Sequence, residues 1–146
     1  MEDRVEIREI TLKDAEAIQE IRKAISEDDA DVNFVKIIEQ QIAEGADKSS
    51  LVAYIDDKVI GYMISTTLLA GFGIKKSAWI MAIGVLPEYM GQGIGLKLAN
   101  KICNIYKEKG INHIYSSVRW DSTDVLSFFK KLGFERSEFI NLKKKL

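Results

Sequence analysis

The chain has 146 residues, of which 47% are hydrophobic and 29% charged, a balance that predicts one folded domain over residues 1–146. The formal net charge of −1 gives no basic excess for binding phosphates, so we expect no nucleic-acid partner. A single cysteine excludes an intramolecular disulfide. The charged start predicts no signal peptide, and no apolar run approaches about 18 residues. We therefore expect a cytoplasmic protein that does not bind membranes.

Hydrophobic periodicity predicts a mixed α/β order of elements: strand, two helices, three strands, helix, strand, helix and a final strand or hairpin. Turn and capping residues set several of the boundaries, including a hairpin turn at Asp56-Asp57 and a helix end at Gly110. The expected ranges are strands at 5–10, 51–55, 59–67, 77–85, 111–118 and 134–146, and helices at about 15–25, 31–43, 95–109 and 125–132.

The most informative segment is the glycine loop Gly91-Gln92-Gly93-Ile94-Gly95, which follows the strand ending at Val85 and then Pro87. Glycines at alternate positions let the backbone turn tightly and approach a ligand closely. The helix that begins here offers free N–H groups and the positive end of its macrodipole. This pattern predicts a site for a phosphate or pyrophosphate, although the same glycines are also compatible with a tight turn alone.

Two other phosphate-binding loops do not fit this segment. A nucleoside-triphosphatase loop requires Gly-Lys-Ser/Thr, whereas Gly95 is followed by Leu96. A dinucleotide fingerprint requires Gly-x-Gly-x-x-Gly after the first strand of a βαβ unit. Here the spacing is Gly-x-Gly-x-Gly, and the loop follows about the fourth strand of a mixed sheet.

At these residues the sequence resembles the GCN5-related N-acetyltransferase (GNAT) superfamily. Its hallmark is Arg/Gln-x-x-Gly-x-Gly/Ala after a strand that ends in Val-x-Pro, and Val85-Leu86-Pro87 and Gly93-Ile94-Gly95 match it. The late segment from Phe128 to Phe134 is similar to the family's Leu-Tyr-x-x-x-Gly-Phe. The resemblance covers nearly the whole chain. It implies a central mixed, mostly antiparallel sheet with splayed middle strands, flanked by about four helices.

The resemblance also implies which residues would bind acetyl-CoA, the acyl donor. The backbone of Ile83, Gly84 and Val85 would pair with the pantetheine arm, and a backbone N–H near Val85 would stabilise the oxyanion. Strands ending at Val85 and Val118 would splay apart, so that the thioester enters from one side and the amine from the other. The expected cofactor-binding residues are Ile83, Gly84, Val85, Gly91, Gln92, Gly93, Ile94, Gly95, Leu96, Ser122 and Phe129.

Three residues depart from the family pattern. Met90 stands where Arg or Gln is usual, but backbone binding does not depend on that side chain. Ser122 stands where many members have an Asn that contacts the cofactor, and it could instead cap the following helix. Phe129 stands where the common general acid is a Tyr, and a phenyl ring has no proton to donate. Phe129 is then a core residue or a contact for the pantetheine arm.

Transfer does not strictly require that tyrosine, because a thiol with a pKa of roughly 8.5 leaves readily as the thiolate. The harder requirement is a neutral amine. Asp121 is the nearest candidate base, with helix capping as its other reading. The acidic run Glu27-Asp28-Asp29, with Asp31, either attracts a cationic amine or is a solvated turn. A non-catalytic acyl-CoA-binding or regulatory module remains the alternative to an enzyme.

The partners expected from the sequence are an amine acceptor, whose identity the chain does not reveal, and no metal ion. The acceptor is either a small molecule or a peptide. A final strand at the edge of the sheet could pair with a second copy of the chain and so form a homodimer.

Overall fold

The computed structural model describes residues 4–25, 33–45, 47–69 and 75–146, and the following elements lie within them. Short 3₁₀ turns at Leu12–Asp14, Asp47–Ser49 and Pro87–Tyr89 connect the longer elements. The strands are β1 (Glu6–Glu9), β2 (Leu51–Ile55), β3 (Lys58–Leu68), β4 (Ser77–Val85) and β5 (Ile114–Ser116); the helices are α1 (Ala15–Ile25), α2 (Phe34–Glu44), α3 (Ile94–Glu108) and α4 (Thr123–Lys131).

The five strands form one sheet in the order β1-β2-β3-β4-β5. The first four are antiparallel neighbours, and β5 is parallel to β4. This is the mixed, mostly antiparallel sheet with four helices that the sequence predicts. Tight hairpins suffice between antiparallel neighbours, whereas the parallel β4–β5 pair needs a crossover, which α3 supplies.

Two hydrophobic cores cover the two faces of the sheet. On one face α3 packs its buried residues Ile94, Leu98 and Ile102 against the sheet, and Phe129 of α4 joins the same core. On the other face α1 and α2 contribute Ile18 and Phe34 among others, against strand residues that include Tyr62. The two-residue periodicity of a strand sends alternate side chains to opposite faces, which is why a single sheet serves both cores.

An ion pair between Arg8 and Asp14 connects β1 to the turn that precedes α1. Asp14 is 4% exposed and accepts two 2.8 Å hydrogen bonds from the Arg8 guanidinium and a 2.7 Å bond from the Thr11 N–H. Burial raises the pKa of Asp14, but the hydrogen bonds from Arg8 and Thr11 outweigh burial and the pKa is lowered. The carboxylate is therefore ionised when folded, and it ties β1 to the helix that follows.

The β2–β3 hairpin turns at Asp56 and Asp57, as the sequence predicts. Both residues have positive φ angles, 46° and 67°. Positive φ at both central residues matches the right-handed twist of the flanking strands. The turn lies at the same end of the sheet as the end of β4, because Gly61 of β3 is paired with Val85.

The last strand predicted from the sequence is absent. Residues 134–146 contain no strand in the structure, and most of their side chains are exposed, including Leu142 at 88%. The apolar residues there do not alternate consistently. The Phe139 N–H donates to the side-chain oxygen of Ser137 instead of to a neighbouring strand. The expectation of a homodimer through a final edge strand loses its basis. Strand β5 is also shorter than predicted, three residues instead of 111–118.

Two further points concern the acidic run and the membrane. The acidic run at 27–31 lies outside the described residues. None of the helices in the described ranges is both long and apolar enough to cross a bilayer.

Candidate active site

The candidate site begins where β4 and β5 separate. β4 pairs with β3 along its whole length, from Ser77 to Val85. Its pairing with β5 covers only residues 78–80 and ends at Ile80 with Ser116. Within the described chain, the half of β4 from Met81 to Val85 therefore has no strand on its β5 side. This open half of β4 is the splay implied by the family resemblance.

A bulge marks the point of separation. Ala82 pairs with Ile64, and Ile80 pairs with Ser65, so Met81 is the extra residue on β4. Its side chain is 58% exposed. A bulge bends a strand and increases its local twist, so it re-aims the remainder of the strand. The open half of β4 is thereby turned away from β5.

The backbone of the open half of β4 points two donors into the gap. The Leu86 N–H donates a 2.9 Å bond to Ile60 O, which fixes the direction of that residue toward β3. Along an extended strand, successive N–H groups point to opposite edges. The N–H and C=O groups of Ile83 and Val85 therefore point to the open edge. Those of Gly84 point to β3.

Gly84 has a packing reason rather than a ligand reason to be glycine. A Cβ at this position would lie 2.6 Å from Cε1 of Tyr62 and 3.1 Å from Cδ1 of Ile25. Real Cβ atoms are never that close to a ring carbon, so any larger residue would force the Tyr62 ring to move. Gly84 thus lets α1 and Tyr62 pack closely behind the open half of β4.

After β4 the chain turns through the glycine loop into α3. The 3₁₀ turn Pro87–Tyr89 ends the strand, and the Met90 N–H closes it on Pro87 O at 3.2 Å. Gly91 and Gly93 then adopt φ angles of 82° and 79°, a region that costs other residues about 1–2 kcal/mol. Both glycines are exposed. The sequence prediction of a strand, a glycine turn and a helix start is confirmed here.

The N-terminus of α3 is suited to bind an anion. The first in-helix bond runs from Lys97 N to Gly93 O at 3.0 Å, so the N–H groups of the preceding turn have no intrahelical acceptor. The helix has 15 residues, and its first turn carries no acidic side chain. Its macrodipole therefore faces the loop without a competing carboxylate. The backbone N–H groups and the positive φ glycines fit a pyrophosphate.

The third glycine, Gly95, differs from the other two. Its φ is not positive, and a Cβ there would lie 2.9 Å from Cε1 and 3.3 Å from Cζ of Phe128. Gly95 is therefore required by the approach of α4 to α3. The sequence offered no signal for this contact, because it joins residues 33 positions apart through the fold.

Phe129 lies in the core. It is 6% exposed and meets the ring of Phe134 at 4.9 Å in an edge contact, with Phe128 at 5.3 Å on its other side. Of the two roles open to Phe129 in the sequence, this position supports the core role. A pantetheine contact for Phe129 stays a prediction.

Asp121 lies in the turn before α4 and is paired with Arg119. The guanidinium donates from Nε at 3.0 Å and from Nη2 at 2.8 Å to the two carboxylate oxygens. The hydrogen bonds from Arg119 lower the pKa of Asp121. A carboxylate with a lowered pKa is a weaker base, so this pairing argues against proton abstraction by Asp121. Arg119 was not singled out by the sequence, although an i, i+2 pair in a turn is visible there.

Ser122 occupies the N-cap position of α4, but the side-chain capping expected from the sequence is not formed. Its carbonyl accepts from the Leu126 N–H at 3.0 Å, but its side chain makes no capping hydrogen bond. The hydroxyl is half-buried and is not used by the helix. Its cofactor contact stays a prediction.

A shallow groove borders the glycine loop on the side of the β2–β3 hairpin. Arg4 and Lys58 bring positive charge to it, although Arg4 is paired with Asp56. Its lining residues are Arg4, Ile55, Asp56, Lys58, Tyr89 and Gln92. Because Gln92 of the loop is part of this lining, the groove is a second surface by which a charged ligand could approach the loop. No group of His, Cys, Asp and Glu side chains suited to a metal ion occurs among the residues described.

Comparisons with known proteins identify the family and the fold. A family model described as acetyltransferase (GNAT) family matches residues 9–134. Aminoglycoside N-acetyltransferase AAC(6')-Iy in complex with CoA superposes with a TM-score of 0.77 at 20% identity, covering 97% of this chain and 94% of that one. The aminoglycoside antibiotic 6'-N-acetyltransferase AAC(6')-Ih from Acinetobacter baumannii gives 0.75 at 21%, covering 97% and 98%.

A protein that is not named as an aminoglycoside acetyltransferase has the same fold. Ard1 from Thermoplasma volcanium superposes with a TM-score of 0.74 at 19% identity, covering 92% of this chain and 84% of that chain. The TM-scores establish a common fold, and identities this low leave the acceptor of the present chain open.

Proposed function

The chain belongs to the acetyltransferase (GNAT) family, and we propose that it transfers the acetyl group of acetyl-CoA to a primary amine by direct attack in a ternary complex. The observation that carries the proposal is the continuity of two surfaces. The open half of β4, with two outward N–H groups, leads through the 3₁₀ turn Pro87–Tyr89 into the glycine loop and the N-terminus of α3. One offers hydrogen bonds to an extended amide chain, and the other offers them to a pyrophosphate.

The donor would lie along this continuous surface. Ile83 and Val85 would pair their backbone with the pantetheine amides, as a neighbouring strand would. The N–H groups from Gly91 to Leu96 would surround the pyrophosphate. Met90 does not impede this arrangement, because its side chain is 52% exposed and the donors are backbone groups.

The chemistry supplied by the donor is an acetyl thioester with a good leaving group, and the chain's own residues bind and orient it. An outward N–H of the open half of β4, at Ile83 or Val85, would donate to the carbonyl oxygen as negative charge develops there. The gap between β4 and β5 would admit the amine from the face opposite α3. No side chain acid is required, because a thiolate leaves readily at neutral pH.

The amine must arrive neutral. An α-amine has a pKa near 8 and a lysine amine near 10.4, so the former is deprotonated far more often at neutral pH. With Asp121 engaged by Arg119, we expect the acceptor's own pKa to govern the rate. The initial rate at low amine concentration should rise tenfold per pH unit below the pKa of the amine and level off above it.

The test is an amine panel with acetyl-CoA, following free thiol and identifying acetylated product by mass spectrometry. The panel should contain aminoglycosides and peptides, because proteins of this fold include aminoglycoside acetyltransferases and the NatC complex bound to a Gag peptide. Product from at least one amine is expected. Thiol release without acetylated amine would indicate hydrolysis and would contradict the proposal.

A second candidate function, a non-catalytic acyl-CoA-binding module, is favoured by two observations. Phe129 stands where the usual acid would be, and the charge of Asp121 is balanced by its ion pair with Arg119. This alternative predicts CoA binding without product from any amine. It also predicts that Phe129→Tyr gains no activity.

A further inference from the structure

The starting observation is the contact between Phe128 and Gly95. Gly95 is the second residue of α3, and its backbone does not need glycine because its φ is not positive. An alanine would normally be favoured by about 1 kcal/mol at a helix position. The ring of Phe128 occupies the space that the alanine methyl group would take, with Cε1 2.9 Å from that point.

The contact places Phe128 between two parts of the donor site. Cδ1 of Ile83 lies 3.7 Å from the same point, so the ring of Phe128 and the side chain of Ile83 both border Gly95 in the first turn of α3. Ile83 belongs to the open half of β4. The first turn of α3 supplies the N–H groups for the anion. Phe128 therefore touches the junction between the surface for the pantetheine arm and the surface for the pyrophosphate.

The ring of Phe128 is itself held in place. It makes an edge contact with Phe129 at 5.3 Å, and Phe129 makes another with Phe134 at 4.9 Å. Such aromatic pairs prefer defined geometries and restrict one another. Phe129 is buried, so the row is anchored in the core at one end and reaches α3 at the other.

We propose that Phe128 is a positioning residue for the acyl donor: its ring, packed on Gly95, fixes the first turn of α3 relative to the open half of β4. The inference rests on the proposed function, because it concerns the same donor site. Phe129, by contrast, supports Phe128 from the core. Two adjacent phenylalanines thus have different roles, one aligning the anion site and one stabilising the fold.

The experiment is calorimetric titration of CoA into the wild type, Phe128→Leu, Gly95→Ala and the double variant. Each single variant should bind CoA about tenfold more weakly, as expected when a charge-assisted hydrogen bond is weakened. In the double variant, the added methyl group fills space that the ring has left. Its affinity should therefore lie closer to the wild type than the product of the two single effects.

Thermal unfolding provides the readout that separates positioning from stability. Gly95→Ala combines a gain in helix propensity with a displaced ring, so its melting temperature should stay near that of the wild type while its affinity falls. Leu126→Ala is the matched control on α4, because Leu126 is 40% exposed and should leave CoA affinity unchanged. In the transfer assay, the KM for acetyl-CoA should rise while the KM for the amine stays constant.

The outcomes separate this inference from the function on which it rests. Wild type that does not bind CoA overturns both. Wild type that binds CoA, with Phe128→Leu and Gly95→Ala binding equally well, overturns the inference alone. Strictly multiplicative effects in the double variant also contradict it, because the two residues would then act independently.

Discussion

The two edges of β4 are built for different purposes. The edge toward β3 is paired from Ser77 to Val85 and is backed by tight packing, such as Tyr62 against Gly84. The edge toward β5 is paired over only three residues and then opens at the bulge of Met81. One strand thus contributes to the rigidity of the sheet on one side and leaves backbone groups available on the other. Substitutions at the two edges should accordingly change different quantities.

The same contrast extends to the buried polar contacts. On the paired side, Ser65 lies at 0% exposure and bonds Ser49 O, while its hydroxyl is 2.7 Å from the Tyr106 hydroxyl. Gln41 adds a 2.7 Å bond to Ser65 O. These bonds join α2, β3 and the end of α3 far from the glycine loop. In the described residues, the backbone of the paired side is hydrogen-bonded within the sheet, whereas the backbone of the open side has no strand partner.

The largest expected effect is on stability, from Gly84→Ala at the paired edge. The added Cβ would overlap Tyr62, and overpacking of this kind costs about 1–3 kcal/mol. Chemical denaturation should show a lower free energy of unfolding. Tyr62→Leu in the same chain should recover part of the loss, and a double variant no better than the sum of the singles would contradict the packing account.

The second effect is on binding, from Gly93→Ala at the open side. Gly93 and Gly110 have the same φ of 79° and flank α3 at its two ends, with Gly110 remote from the loop. Alanine at either position should cost about 1–2 kcal/mol of stability, because both adopt the left-handed region. Only Gly93→Ala should weaken CoA binding, by at least about tenfold in calorimetry. Equal CoA affinities of the two variants would refute the assignment of the glycine loop as the pyrophosphate site.

A smaller effect is expected from Tyr106→Phe in the serine contacts of the paired side. Burial raises the pKa of Tyr106, so its hydroxyl stays protonated and available as a donor or acceptor to Ser65. Its loss should cost about 0.5–1.5 kcal/mol in denaturation and leave the CoA dissociation constant unchanged. A marked change in CoA affinity would show that the two sides are coupled, contrary to this account.

The smallest effect is expected from Asp121→Asn near the open side. The Arg119 guanidinium lowers the pKa of Asp121, so this carboxylate is ionised throughout the neutral range and titrates only in acid. Its removal should leave the pH–rate profile between neutrality and the amine pKa unaltered. A profile that loses an inflection in the variant would instead identify Asp121 as the base.

Much of the fold could be predicted from the sequence. Apolar periodicity gave the order of helices and strands through α4, and the proline and glycines located the loop, because these signals are local in the chain. The predicted strand at 134–146 was wrong, since its irregular apolar pattern does not secure a partner in the sheet. The sequence could not explain why position 95 is glycine, because the explanation is a contact with Phe128 that only the fold creates.

We propose that the open edge of β4 and the glycine loop hold acetyl-CoA, and a crystal structure with acetyl-CoA bound would show whether they do. The expected complex has the pantetheine amides bonded to Ile83 and Val85, the thioester oxygen within hydrogen-bond distance of an outward N–H of the open half of β4, and the pyrophosphate at the N–H groups from Gly91 to Leu96. Acetyl-CoA bound instead in the groove beside Arg4 and Lys58, with the open edge of β4 free of it, would contradict the account.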